Sequence, residues 1–336
     1  MSNKPPIGVP QGAIRLNTDS QKLEFFAQDR WYQMATDTPA IGIGTFSRGT
    51  RGINFSGGSG SNTIEFITIP TMGNAIDFGN RTGNVEPSQN ACASRTRAFF
   101  GGGEGNTNII EFVTIAQQGN GTNFGDLTQA RGAGPAGMSN QTRGIWGGGR
   151  TPSSTNRIDY IEMAHTGDAI DFGDLTSATQ WPGACENGVR GIFFGGNPPS
   201  YRNNIEYINI MSKGNGVDFG DRQVSSQVAS GTSNKVRGLM YGGQISASPS
   251  DTNVIDFITF STLGNSTDFG DGTATRRGAA GMSDCVRAVY ASGYDAPGYT
   301  NVMDYVQIMT KGNALDFGDA TDDGFSAGTS NGHGGL

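Results

Sequence analysis

Histidine is nearly missing from this chain, with two in 336 residues, His165 and His333. One falls in a turn and the other in the tail, with no acid or nucleophile clearly set beside either, which argues against a histidine-dependent active site. Cysteine is scarce as well. Three cysteines cannot all pair within one chain, and Cys92 and Cys185 each stand five residues before a recurring arginine. Met138, Thr232 and Met282 hold the same place in other repeats. A position shared by Cys, Met and Thr is a packing position, so neither disulfides nor metal ligation are expected of these thiols. Basic charge is short: 23 Lys and Arg stand against 30 Asp and Glu, for a net charge of −7, which leaves no footprint for nucleic acid. No stretch approaches the roughly 18 to 20 apolar residues of a membrane span. The start, MSNKPPIGVPQ, lacks the apolar core of a signal peptide. Helix-forming patterns are almost absent.

What is abundant is glycine, 54 residues against a hydrophobic content of 35%, the composition of short strands joined by tight turns. GNAIDFGN (73–80) contains Asp-Phe-Gly, the tripeptide that holds a metal ion on ATP in protein kinases. Here it recurs in GNGTNFGD (119–126, with Asn123 for Asp), GDAIDFGD (167–174), GNGVDFGD (214–221), GNSTDFGD (264–271) and GNALDFGD (312–319). A catalytic ligand is needed once, so a motif written six times is architecture. Each unit of 46 to 50 residues also carries an Arg (51, 97, 143, 190, 237, 287) and an acid (Glu65, Glu111, Asp159, Glu206, Asp256, Asp304). A period near 50 with strand-like contents predicts an all-β chain, a six-bladed β-propeller over 41–336 with a small β-meander module over 1–40.

The fourth unit reads as four strands: GACEN (183–187) as strand a, VRGIFFGG (189–196) as b, NNIEYINI (203–210) as c, and a strand d around VDFG (217–220). Asn187-Gly188 is the expected tight turn between a and b. Small-residue strand a suits the centre of the ring. In strand c the acid falls on a largely apolar face, and the recurring Arg is its expected partner. Phe of Phe-Gly is expected between blades, Gly at a bend or close approach, and Asp on nearby turn amides. GGGEGN (101–106), despite its phosphate-loop spacing, has counterparts in other units and no following helix. For the first blade, AGTSN (327–331) is a better strand a than GTFSR (44–48), so the tail is expected to close the ring.

The acid-to-Phe interval is 13 in all six units, whereas Arg-to-acid runs 14, 14, 16, 16, 19 and 17. Length variation therefore concentrates in the b–c loops, which emerge on one face. Exposed Tyr and Arg offer large area with directed polar groups, so Arg150, Tyr201, Arg202, Tyr294 and Tyr299 are the candidate binding residues.

GAIRLNTDSQKLEFFAQDRWYQM (12–34) reads as three short strands that need a neighbour. It resembles a small β module of bacteriophage tail-fibre and other structural proteins. The repeat, as in NRIDYIEMAHTGDAIDFGDLT (156–176), is similar to repeats of virion structural proteins of tailed phages. RGIFFGG (190–196) resembles the double-glycine strand of kelch propellers, although the later aromatic pattern of kelch is missing. The phage resemblance implies a non-enzymatic virion protein, a tail fibre, adhesin or decoration component. It would dock to other virion proteins through residues 1–40 and contact a host-surface glycan or protein, alone or as a homo-oligomer, with no cofactor. The alternatives are a stand-alone carbohydrate-binding propeller and a propeller glycoside hydrolase. The first would favour similar aromatic pockets in every blade. The second requires a singular pair of acids, and the acids here recur in every blade.

Overall fold

The computed structural model describes residues 8–17, 22–33, 49–57, 60–83, 89–103 and 105–336; GTFSR at 44–48 lies outside them. The chain divides into two compact units, Met1–Ser47 and Arg48–Leu336. No α-helix occurs among the described residues.

In the first unit, Ile14–Asn17, Lys22–Ala27 and Arg30–Gln33 form an antiparallel meander. Because side chains alternate along a strand, one face carries Arg15, which grips Glu24 at 2.8 Å and lies over Trp31, with buried Phe26 beside them. The opposite face presents Ile14 (62% exposed), Leu16 (60%), Leu23 (41%) and Phe25 (37%) to solvent.

The second unit holds six antiparallel sheets, five of four strands and one, the third, with a short fifth strand at Arg150–Thr151, besides a two-stranded hairpin. In the fourth, strands Gly183–Glu186, Arg190–Phe194, Arg202–Asn209 and Val217–Ser226 follow in chain order, as the sequence pattern predicts. The Asn187 side chain caps the a–b turn by accepting from the Val189 and Arg190 amides. The first sheet takes Arg51–Ser56, Thr63–Thr68 and Ile76–Asn80 from one end of the unit and Ser326–Ser330 from the other. Its register runs from Ser326 opposite Ser56 to Ser330 opposite Gly52. The tail segment therefore supplies the strand expected of it.

Successive strands a touch one another, and Ser326–Ser330 touches both Ala91–Ala93 and Ala280–Ser283. Small residues permit this approach: a Cβ at Gly231 would stand 1.8 Å from the Ala184 carbonyl oxygen. The core is six apolar layers, each drawn from two neighbouring sheets, the sixth and first included. Every Phe of Phe-Gly lies in such a layer. The position shared by Cys and Met packs there too, with Cys92, Met138, Cys185 and Met282 set against Gly144, Gly191, Gly238 and Gly52 of the following sheet. Cys92 and Cys185 are buried thiols, and the Cys285 thiol donates to the Gly332 carbonyl at 3.2 Å.

Outside the cores the repeated motif staples sheet to sheet. The amide of the motif's first glycine donates to the Phe carbonyl of the preceding sheet at 2.8–3.1 Å, in all six copies, with Gly73 closing onto Phe317. The residue after that glycine (Asn74, Asn120, Asp168, Asn215, Asn265, Asn313) accepts from the amide following Phe-Gly at 3.0–3.1 Å. That corrects the role expected of the Asp in Asp-Phe-Gly, whose side chain is exposed in every copy. Gly173 stands at φ +151°, and a Cβ there would lie 2.4 Å from the Gly214 carbonyl oxygen. Gly173→Ala is expected to destabilise by about 1–3 kcal/mol. Gly167→Ala, with nothing within 4 Å of its Cβ, should stay within about 0.5 kcal/mol in urea denaturation.

The recurring arginines do not pair with the recurring strand-c acids; Arg143 pairs instead with Glu162, at the end of its own strand c, at 2.8 Å. Register sets Arg143 opposite Glu162 and Trp146 opposite Asp159, so Arg and acid, three positions apart along the ladder, leave the sheet on opposite faces. Each Arg lies 4.4–5.1 Å over its own sheet's strand-c aromatic ring and donates to a carbonyl at the end of the next sheet's strand c. The acids reach the other way. Glu65, Glu111, Asp159, Glu206 and Asp304 accept from the backbone amides of Thr321, Thr82, Thr128, Thr176 and Thr273 in the preceding sheet. Two of these also hold a buried arginine, Arg131 with Asp159 and Arg276 with Asp304, and the sixth acid, Asp256, holds Arg222, at 2.6–2.9 Å. Burial pushes the Glu65 and Glu206 carboxyls above their ordinary range, against the hydrogen bonds from Thr321 and Thr176.

Candidate binding face and central cavity

The b–c loops lie beside the d–a connections, bridged at Gly132–Arg150, Gln180–Asn197, Gln227–Gln244 and Arg277–Tyr294. Double glycines turn the chain out of strand b. Gly102, Gly148, Gly195 and Gly242 all have φ between +62° and +74°, and the following glycine donates to a carbonyl at the end of its own sheet's strand d or just beyond it (Arg131, Thr179, Ser226 and Arg276). Gly102-Gly103 of GGGEGN is one instance of this turn.

On this face the structure joins two of the five candidate residues. Tyr294 and Tyr299 face each other across a small hairpin, Tyr294–Asp295 with Gly298–Tyr299, their rings edge to face at 5.4 Å. Tyr299, 41% exposed, meets Phe325 at 5.7 Å. The Arg277 guanidinium covers Tyr294 at 4.3 Å and pairs with Asp251 at 3.0 Å. Burial pushes the Asp251 carboxyl up and Arg277 opposes that shift. Arg277, Asp251 and Phe325 went unnoticed in the sequence; the doubled arginine at 276–277 was the available signal. Arg150, Tyr201 and Arg202 stand on other loops. Arg150 is half-buried opposite Ser154. Arg202 folds back to donate to the Pro198 carbonyl, with half-buried Tyr201 beside it.

Strands a line a cavity of about 30 Å³ with Gly, Ala, Ser, Thr, Cys and Met residues, together with Gln89, Glu186 and His333, room for a water. Gln89 donates to the Ala279 carbonyl at 2.7 Å. The tail folds in as well. His333 is buried, with Nδ1 2.6 Å from Glu186 Oε1 and Nε2 3.0 Å from the Ala93 carbonyl oxygen. The sequence had placed no acid beside His333, and the structure corrects this. Glu186 is the one charged residue among the six strands a, and that was the signal to follow. Ser139 Oγ lies 3.4 Å from Nε2, completing a Ser–His–Glu succession. Hydrolytic use would require Nε2 to accept the serine proton. Here both Nε2 and Ser139 Oγ point at the Ala93 carbonyl, which only accepts, so Nε2 carries hydrogen and the trio works as a bracket for the tail.

Among the described residues no cluster of three or more His, Cys, Asp or Glu could hold a metal ion. The chain matches no protein-family model and no curated relative.

Proposed function

We propose that this chain is a non-enzymatic structural protein of a tailed-phage particle, a tail-fibre, adhesin or decoration component. In it the six sheets are blades of a closed propeller, and the N-terminal unit docks. The observation that carries the reading is the contrast between scaffold and loops. Six sheet junctions repeat the same glycine and asparagine staples, while the b–c loops on one face differ in length and content. Such a division suits a rigid display of recognition loops. Ring closure is supported by the cyclic contact of strands a and by the Gly73–Phe317 bond. The exposed apolar face of Ile14, Leu16, Leu23 and Phe25 supports docking or oligomerisation through the N-terminal unit. The phage assignment rests on the resemblance of residues 12–34 and of the repeat.

The uniform face, with exposed Val189, Val236, Val286, Met211 and Met309 on its turns, suits contact with another particle protein and leaves the variable loops outward. A free carbohydrate-binding propeller would use the same loops without docking. The Tyr294–Tyr299 cluster is its best support, but the cluster occurs in one sheet only. Exchanging loops 197–203 and 293–300 for short Gly-Ser turns is expected to leave the unfolding midpoint within a few degrees and abolish attachment to host cells. Undiminished attachment would make the propeller a spacer.

A further inference from the structure

We propose a separate binding site, for an alkylammonium group, in the cleft over Phe112. It lies outside the variable loops and does not depend on the docking reading. The protein's own repeats indicate what fits there. Each strand-c ring already carries the strand-b arginine of its own sheet, Arg97 in the case of Phe112 at 4.9 Å. The residue seven positions after the acid, on the c–d turn of the following sheet, is available to cover the same ring. Lys213 places Nζ 4.9 Å from the centre of the Tyr160 ring, and Lys311 does so at 5.1 Å over Phe257. Gln118, in the same position, donates to the Asp77 carbonyl of the first sheet at 2.7 Å.

For Phe112 the corresponding residue is Thr166, exposed and too short to extend across a ring as lysine does. A cleft of about 180 Å³ is found at Phe112, walled by Thr114, Gln117, Gln118, Asn120 and Thr122. That is well below the ~300 Å³ at which pockets for drug-sized ligands begin and suits one short alkyl chain. The ring face attracts a cation, and the hydroxyl and amide oxygens of the wall can accept from the three N–H donors of an ammonium group. Arg97 does not reserve the site for anions: its Nη1 donates to the Met163 carbonyl at 3.1 Å. Tyr160 and Phe257 each bear a lysine in addition to an arginine, so a second cation over one ring is compatible with this scaffold.

The ammonium could come from a free amine or from a lysine of another protein. The test is titration of the full chain with butylammonium, n-butanol and butyrate, followed by NMR of ¹³C-labelled phenylalanine, with the Phe112 signals assigned by Phe112→Leu. Butylammonium should bind in the millimolar range, about tenfold tighter than butanol, and Thr166→Lys, a surface change, should abolish its effect by filling the cleft from within. A lysine held in a blocked tripeptide is the second arm: tighter binding than butylammonium assigns the site to a partner's lysine, weaker binding to a free amine. Equal affinity for butanol, preference for butyrate, or unchanged binding in Thr166→Lys would each overturn the proposal.

Discussion

A chain lacking residues 322–336 should lose most of its thermal stability, whereas one lacking residues 1–40 should melt almost where the intact chain does. Ser326–Ser330 is the innermost strand of the first sheet, paired along its whole length with Arg51–Ser56. Four of its five residues are buried. Ser330 exchanges hydrogen bonds with Ser283, Asn331 caps the Arg51 amide, and His333 anchors the end on Glu186 and Ala93. Removal opens the edge of Arg51–Ser56 and uncovers Ile53 and Phe55, both fully buried. At about 1 kcal/mol per net hydrogen bond, with apolar exposure added, the loss is on the order of 5 kcal/mol or more. That rivals the ~5–15 kcal/mol of a typical domain. Among the described residues, the six core layers draw on none before Ile53. Thermal unfolding of the three chains decides the matter. A tail deletion that melts within about 2 °C of the intact protein would assign the closing strand to another segment.

The second large effect concerns the buried ion pairs. Arg131 and Asp159 lie 2.6 Å apart with both side chains fully buried. Arg131 also donates to the Gly148 and Arg157 carbonyls, while Thr128 donates to Asp159 through its amide and hydroxyl. Arg131→Met leaves the carboxylate without its countercharge and is expected to cost about 3–5 kcal/mol. Adding Asp159→Leu should recover part of that loss. A double-mutant cycle should therefore give a coupling of about 2 kcal/mol for 131 with 159 and near zero for 143 with 159. Coupling of Arg143 rather than Arg131 to Asp159 would contradict the geometry.

That contrast also marks the limit of what the sequence discloses. The strands, the Phe-Gly layer and the closing tail were legible because each is a local pattern copied six times. The arginine's partner was not: Arg143 and Asp159 recur together, yet recurrence says nothing about which face each takes. A threonine four residues after the Phe (Thr82, Thr128, Thr176, Thr273 and Thr321) recurs almost as faithfully and is the residue that the acids hold. On the variable face, Tyr294 and Tyr299 were visible as neighbours in one short loop. Arg277, Asp251 and Phe325 reach them from separate parts of the chain, and only the fold brings them together. The same holds for Glu186 and His333.

Mapping this chain within purified phage particles, by cross-linking mass spectrometry together with electron cryomicroscopy, is the most direct measurement. The account predicts that the chain is an integral component, with residues 1–40 cross-linked to another particle protein and loops 197–203 and 293–300 pointing to solvent. Absence from the particles, or those loops buried against the particle, would contradict it.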